Sequence, residues 1–410
     1  MRLRLSVLMF LQYAAPGAWV PLFSLILKEL AFTPGEMAWA CATSALGALL
    51  APLPWGQIAD RWVAAQHCIS FCAFLCGVLL WVLGELTAPW PIFLATLGFW
   101  FFMIPVLSLG TSLTFRHLQH PEREFGPVRM WGTIGWVAAN WCLGCWFADP
   151  DFLRPCMAIL RPANPASALA DAFRLGGCFA FCLSVYALTL PSTPPSPARP
   201  MEPGVRQGGR LWSALEAPLL ACRLFRQRSF LIFCVCLTGL YITVPFSTQL
   251  TPLLLESIGV ARTWLPATLT IAQSLEVATL ALLPIILLRL AVKGTLLLGI
   301  VAWTSALVVL TVGQPLWLVI ASLGLHGVYI TCFLVAGQVF VNRRAQKDIR
   351  ASAQALLQFL NGAGLLVGNL TVGWIRSAGG GLFSPAFAVA AVLSGTLVVV
   401  FVMGFRTKAE

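Results

Sequence analysis

Charge is what this sequence has least of. Charged residues fill only 10% of its 410 positions, and 15 residues in all are acidic, whereas a soluble domain carries about a quarter charged residues. A water-soluble enzyme is excluded on that ground. Also missing are an HExxH zinc motif, a GxSxG nucleophile turn, a phosphate-cradling glycine loop and any cluster of acidic residues that could hold a metal. Their absence removes the common hydrolases and nucleotide-hydrolysing folds, so no enzyme activity, cofactor or metal is expected. Dense basic tracts are lacking as well, and with them the case for nucleic acid as a partner. The 13 cysteines do not make a disulfide framework, because most of them sit inside apolar segments. Cys68, Cys72 and Cys76 share one helical face and Cys142 and Cys145 form a CxxC; both sets read as small packing residues between helices.

What is present is apolar surface: 59% hydrophobic residues and a mean hydropathy of +0.85. Crossing a bilayer takes about 20 apolar residues. Twelve such runs follow one another at 5–27, 36–54, 67–86, 90–114, 127–147, 168–190, 229–255, 262–288, 294–312, 315–341, 352–375 and 382–405. The first is too long for a signal-peptide core and has no cleavage site after it, so it reads as a retained span. With Arg2 and Arg4 placed in the cytoplasm, nineteen of the 26 basic residues fall on that side. Five fall opposite (Lys28, Arg154, Arg161, Arg262 and Arg376), and Arg129 and Arg174 lie in or at the ends of runs. This bias predicts that both termini are cytoplasmic and accounts for the net charge of +11.

Between the sixth and seventh runs, Pro191 to Arg210 is rich in proline, glycine, serine and arginine, and Leu211 to Arg228 alternates apolar with basic residues. The first stretch reads as a flexible linker and the second as an amphipathic helix on the inner membrane surface. The expected architecture is an all-α, multi-pass membrane protein of twelve transmembrane helices in two six-helix halves, 1–190 and 229–410, joined by a cytoplasmic linker at 191–228. Two such halves suit a carrier that binds solute near the midplane and opens alternately to each side.

An ionisable side chain at the centre of a bilayer costs about 2.5 kcal/mol or more, so it marks function. Glu276 is the one acidic residue far from the ends of its run, with Thr270 and Gln273 at three-residue intervals before it. The stripe must face a wet cavity or a polar partner; a protonated Glu276 bonding a neighbouring helix is the structural alternative. His326 lies mid-run and can exchange a proton near neutral pH, although a buried, satisfied histidine fits equally. Tyr241, Thr243, Thr248, Gln249 and Asn361 are further polar residues within runs, and each could equally tie helices together. In the fifth run Arg129, Thr133 and Trp136 share one helical face. Guanidinium, hydroxyl and indole together suit a solute that combines hydroxyl groups with a flat ring; an Arg129 that snorkels to the headgroups is the alternative.

Gly56-Gln57-Ile58-Ala59-Asp60-Arg61 resembles the GxxxDR loop of the major facilitator superfamily, which implies a conformational latch at Asp60 and Arg61. Arg129-Met130-Trp131-Gly132-Thr133-Ile134-Gly135, the Gln273-to-Glu276 spacing, Gly337-Gln338-Val339-Phe340-Val341 followed by Arg350-Ala351-Ser352-Ala353-Gln354, and the opening Leu11-Gln12-Tyr13 with Gly17 and Trp19 resemble the nucleoside:proton symporter family of that superfamily. The resemblance implies proton-coupled nucleoside uptake by alternating access, by a monomer in a bacterial-type inner membrane. It further implies substrate contacts at Arg129, Thr133, Trp136, Gln249, Gln273 and Glu276. His326 and Thr331 stand where the resemblance to that family would place Tyr and Asp, and they join the expected binding set, with Glu276 and His326 as proton carriers. An uncoupled facilitator, a carrier of another hydroxylated solute such as a sugar, and a non-transporting solute sensor remain the alternatives.

Overall fold

The structure, a computed structural model, describes residues 1–52, 54–55, 58, 62–119, 121–148, 168–193, 223–344 and 350–406. The Asp60–Arg61 latch and most of the linker, including its amphipathic stretch up to residue 222, lie outside these residues. Among the described residues there is no strand, and nine helices are long and apolar enough to cross a membrane.

Two compact units emerge. The first contains Met1–Pro197, Thr248–Thr270 and Arg376–Ala378; the second contains Ala198–Ser247, Ile271–Ile375 and Gly379–Glu410. In the first unit the chain forms α1 (Arg2–Gly17), a short 3-10 turn, α2 (Phe23–Glu29), α3 (Pro34–Leu50), α4 (Ala65–Leu83), α5 (Pro89–His117), α6 (Pro121–Ala148) and α7 (Asp171–Leu188). The start of α3 is specified locally: Glu36 N–H donates to the Thr33 hydroxyl at 3.4 Å, and the Glu36 carboxylate accepts from Thr33 N–H at 2.9 Å. This capping box, with Pro34 at the first helical position, satisfies amides that the helix itself cannot.

Helices α1 and α6 pair along their length. Arg2 and Glu124 form an ion pair at one end. At the other, the Asn140 amide donates to the carbonyls of Gly17 and Trp136, each at 2.9 Å. Cys68, Cys72 and Cys76 are buried on α4, and the Cys76 thiol reaches the Phe99 carbonyl on α5 at 3.6 Å; there they serve helix packing. Cys142 and Cys145 are instead exposed on α6. Arg174, buried in the first turns of α7, is matched by Glu85 at 2.5 Å. A second charged group stands where α2 and α8 end: Lys28 to Glu256 at 2.6 Å, Arg262 to Glu256 at 2.8 Å and Arg262 to Glu29 at 2.6 Å.

The second unit is built on most of α8 (Arg228–Ser257), α10 (Ile271–Val312), α11 (Leu316–Tyr329), a π-helical turn at Ile330–Val335, α12 (Ala336–Arg344), α13 (Arg350–Ala378) and α14 (Ser384–Gly404); the short α9 (Leu265–Leu269) groups with the first unit. Two separate runs, 262–288 and 294–312, were expected where α9 and α10 stand. The backbone continues as helix through the Arg289–Lys293 region, but it is broken at Ala291, whose φ of 50° lies in the left-handed region. Core contacts are polar as well as apolar: Trp303 donates to the Thr243 hydroxyl at 2.7 Å, and Thr304 and Ser394 hydroxyls meet at 2.7 Å. The outer surface is apolar, as contact with lipid requires, with Leu288 86% exposed, Trp374 72% and Met403 71%.

Candidate functional site

Glu276 sits in the second turn of α10, and its backbone is fixed by α11 and the π-helical turn. Gly327 lies against the Ala272 carbonyl and the Glu276 N–H, and a Cβ there would come within 2.9 Å of Glu276 Cα. Only a glycine lets the two helices approach this closely. Thr331 is fully buried in the π-helical turn, and its hydroxyl donates to the Glu276 carbonyl at 3.4 Å. Such turns recur where a helix has been re-registered for function. The structure therefore brings Thr331, the neutral substitute for the expected Asp, directly to Glu276.

Gln273, one turn before Glu276, is half-buried, and its Oε1 has no hydrogen-bond partner. A buried amide oxygen without a partner is uncommon and marks a place where a polar group is wanted. Thr270 does not continue the stripe into α10. It closes α9, with its hydroxyl turned back onto the Ala267 carbonyl at 2.6 Å.

His326 belongs to a ring stack rather than to the turn occupied by Glu276. Its imidazole lies 4.8 Å from the Trp303 ring, which stacks on Tyr329 at 4.9 Å and 26°. The Tyr329 hydroxyl, on α11 like His326, is buried and without a partner. Asn361 on α13 is buried and has an open Oδ1.

In the first unit, Arg129, Thr133 and Trp136 occupy successive turns of α6, Thr133 buried and the other two half-buried. Arg129 places its guanidinium carbon 4.1 Å from the centroid of the Tyr13 ring on α1. The guanidinium thus lies against α1. Gln249, on the part of α8 that groups with the first unit, is buried, whereas its neighbour Thr248 is exposed.

Tyr13 is the residue that sequence reasoning left out of the site. A signal existed: the chain has only 4 tyrosines, and a polar aromatic in the middle of an apolar run is as unusual as the polar residues that were selected. Gln12 beside it is fully buried, donates to the Met9 sulfur at 3.0 Å and leaves its Oε1 open.

The family model described as Nucleoside H+ symporter matches residues 1–410. Xanthosine permease of Escherichia coli K12 is 28% identical over 391 residues, 90% of this chain and 87% of the permease. Nucleoside permease NupG of the same organism is 26% identical over 393 residues, 91% of this chain and 87% of NupG. The crystal structure of nucleoside transporter NupG superposes with a TM-score of 0.79 at 23% identity, covering 99% of each chain.

Proposed function

Because the chain belongs to the nucleoside H+ symporter family, we propose that it is a multi-pass inner-membrane carrier that takes up nucleosides together with protons by alternating access, acting as a monomer. Twelve crossings are the topology we favour, in halves 1–190 and 229–410 joined by the linker 191–228, with both termini cytoplasmic. Beyond the nine long apolar helices, α3 with 17 residues and α6 with 28 supply two more, and the break at Ala291 divides α10 into a pair. The excess of lysine and arginine on the terminal side supports the orientation.

Arg129, Thr133 and Trp136 hold the solute by hydrogen bonds and ring stacking, and Gln249, Gln273, Glu276, His326 and Thr331 complete the binding set. Asp60 and Arg61 latch one conformation. Glu276 carries the proton, with His326 as a second exchanging group. The observation that carries the coupling is a carboxylate in an apolar helix with the open Gln273 oxygen one turn away. One observation favours a second reading, uncoupled facilitation: Thr331, which bonds the Glu276 carbonyl, cannot titrate. Initial uptake of labelled uridine into proteoliposomes, with and without an inward proton gradient, separates the two. Accumulation above the outside level only with the gradient is the expected result; equal, non-accumulating uptake would establish the facilitator. Absence of uridine uptake and counterflow in both conditions would overturn the nucleoside assignment.

A further inference from the structure

We infer that Tyr13 and Gly132 act together as positioning residues for Arg129, setting the direction in which its guanidinium meets the solute; the inference rests on the reading of Arg129 as a solute contact. An arginine side chain in a cavity has several rotatable bonds, and ordering them when solute arrives would consume binding free energy. Here the ordering is done beforehand. The guanidinium carbon of Arg129 lies over the Tyr13 ring at 4.1 Å, so the ring fixes one side of the group. All its hydrogen-bond donors lie in the guanidinium plane, and a ring engages the charge without consuming them as a carboxylate would. The donors are thereby left for a hydroxyl or carbonyl oxygen of the solute.

Gly132 makes the contact sterically feasible. A Cβ at this position would lie 2.6 Å from Tyr13 Cδ2 and 2.8 Å from Arg129 Nη1, between the two partners. Gly132 follows Arg129 by three residues and so shares its face of α6. Ring, cation and the space between them come from two helices whose pairing is fixed independently, by Asn140 at one end and the Arg2–Glu124 pair at the other.

The test is a set of uridine dissociation constants in detergent, with counterflow rates in proteoliposomes, for Tyr13→Phe, Tyr13→Leu, Gly132→Ala, Arg129→Ala and the Tyr13→Leu/Arg129→Ala double variant. Tyr13→Leu and Gly132→Ala should each weaken binding about tenfold, the size of a partly desolvated cation–π contact, while the rate at saturating uridine holds. Tyr13→Phe, which keeps the ring, should bind as the parent does. In the double variant Tyr13→Leu should add nothing to the loss caused by Arg129→Ala. Additive losses, or a Tyr13→Phe variant as weak as Tyr13→Leu, would overturn the inference, as would normal binding by Tyr13→Leu beside a weakened Arg129→Ala. Normal binding by Arg129→Ala itself would overturn the placement of Arg129, a distinguishable outcome.

Discussion

Arg129 on α6 and Glu276 on α10 each bring an ionisable group into an apolar helix, and their surroundings treat it differently. Around Arg129 the neighbours hold the side chain: the Tyr13 ring lies against the guanidinium. Around Glu276 they hold the backbone, through Gly327 and the Thr331 hydroxyl. A guanidinium stays charged at any physiological pH, so anchoring its side chain yields a permanent, directed donor. A carboxyl can change state, and with the backbone fixed by its neighbours α10 and α11 stay packed whichever state it takes. In the proposed mechanism the first group binds solute and the second carries the proton.

The sharpest way to break that division is Glu276→Gln, which keeps shape and hydrogen bonding but cannot titrate. Gradient-driven accumulation of uridine should vanish completely, while counterflow continues; retained accumulation would move the coupling elsewhere. Gly327→Leu attacks the backbone clamp. Overpacking of this kind costs about 1–3 kcal/mol, and because the obstructing atoms are backbone the upper end is expected, read as a lowered thermal midpoint together with lost transport. Arg129→Lys preserves charge while removing the planar fork. Uridine affinity should fall about tenfold, by about 1.4 kcal/mol, with the dependence on the proton gradient intact. The mildest change is Thr331→Val. Its hydroxyl bond is long at 3.4 Å, so uridine binding should weaken by no more than about 1 kcal/mol, under about sixfold in affinity; unchanged binding would remove Thr331 from the binding set.

Glu276 was legible because an acid inside an apolar run is visible without any partner, and the Arg129, Thr133, Trp136 face was legible because helical periodicity places those residues together. Tyr13 was not: its meaning depends on a residue 116 positions away in another helix, and periodicity carries no information about pairing between helices. Thr331 was legible only through the family resemblance, and its setting in a π-helical turn left no mark on the hydropathy pattern. Nor could a linear reading group Thr248–Thr270 with the N-terminal unit. The apolar run continues unbroken through Ser247, and the ion pairs joining Lys28 and Glu29 to Glu256 and Arg262 span 228 and 233 residues.

Those ion pairs bear on how the protein is made. Translation delivers the chain from the N-terminus, and N-terminal domains usually fold first. This one cannot finish on that schedule, since its charged cluster needs Glu256 and Arg262 and its contact set extends to Ala378. A ribosome that has released the first 247 residues has supplied Lys28 and Glu29 but not these partners. The early helices must therefore wait in the membrane, inserted but incompletely assembled, until the later part of the chain arrives.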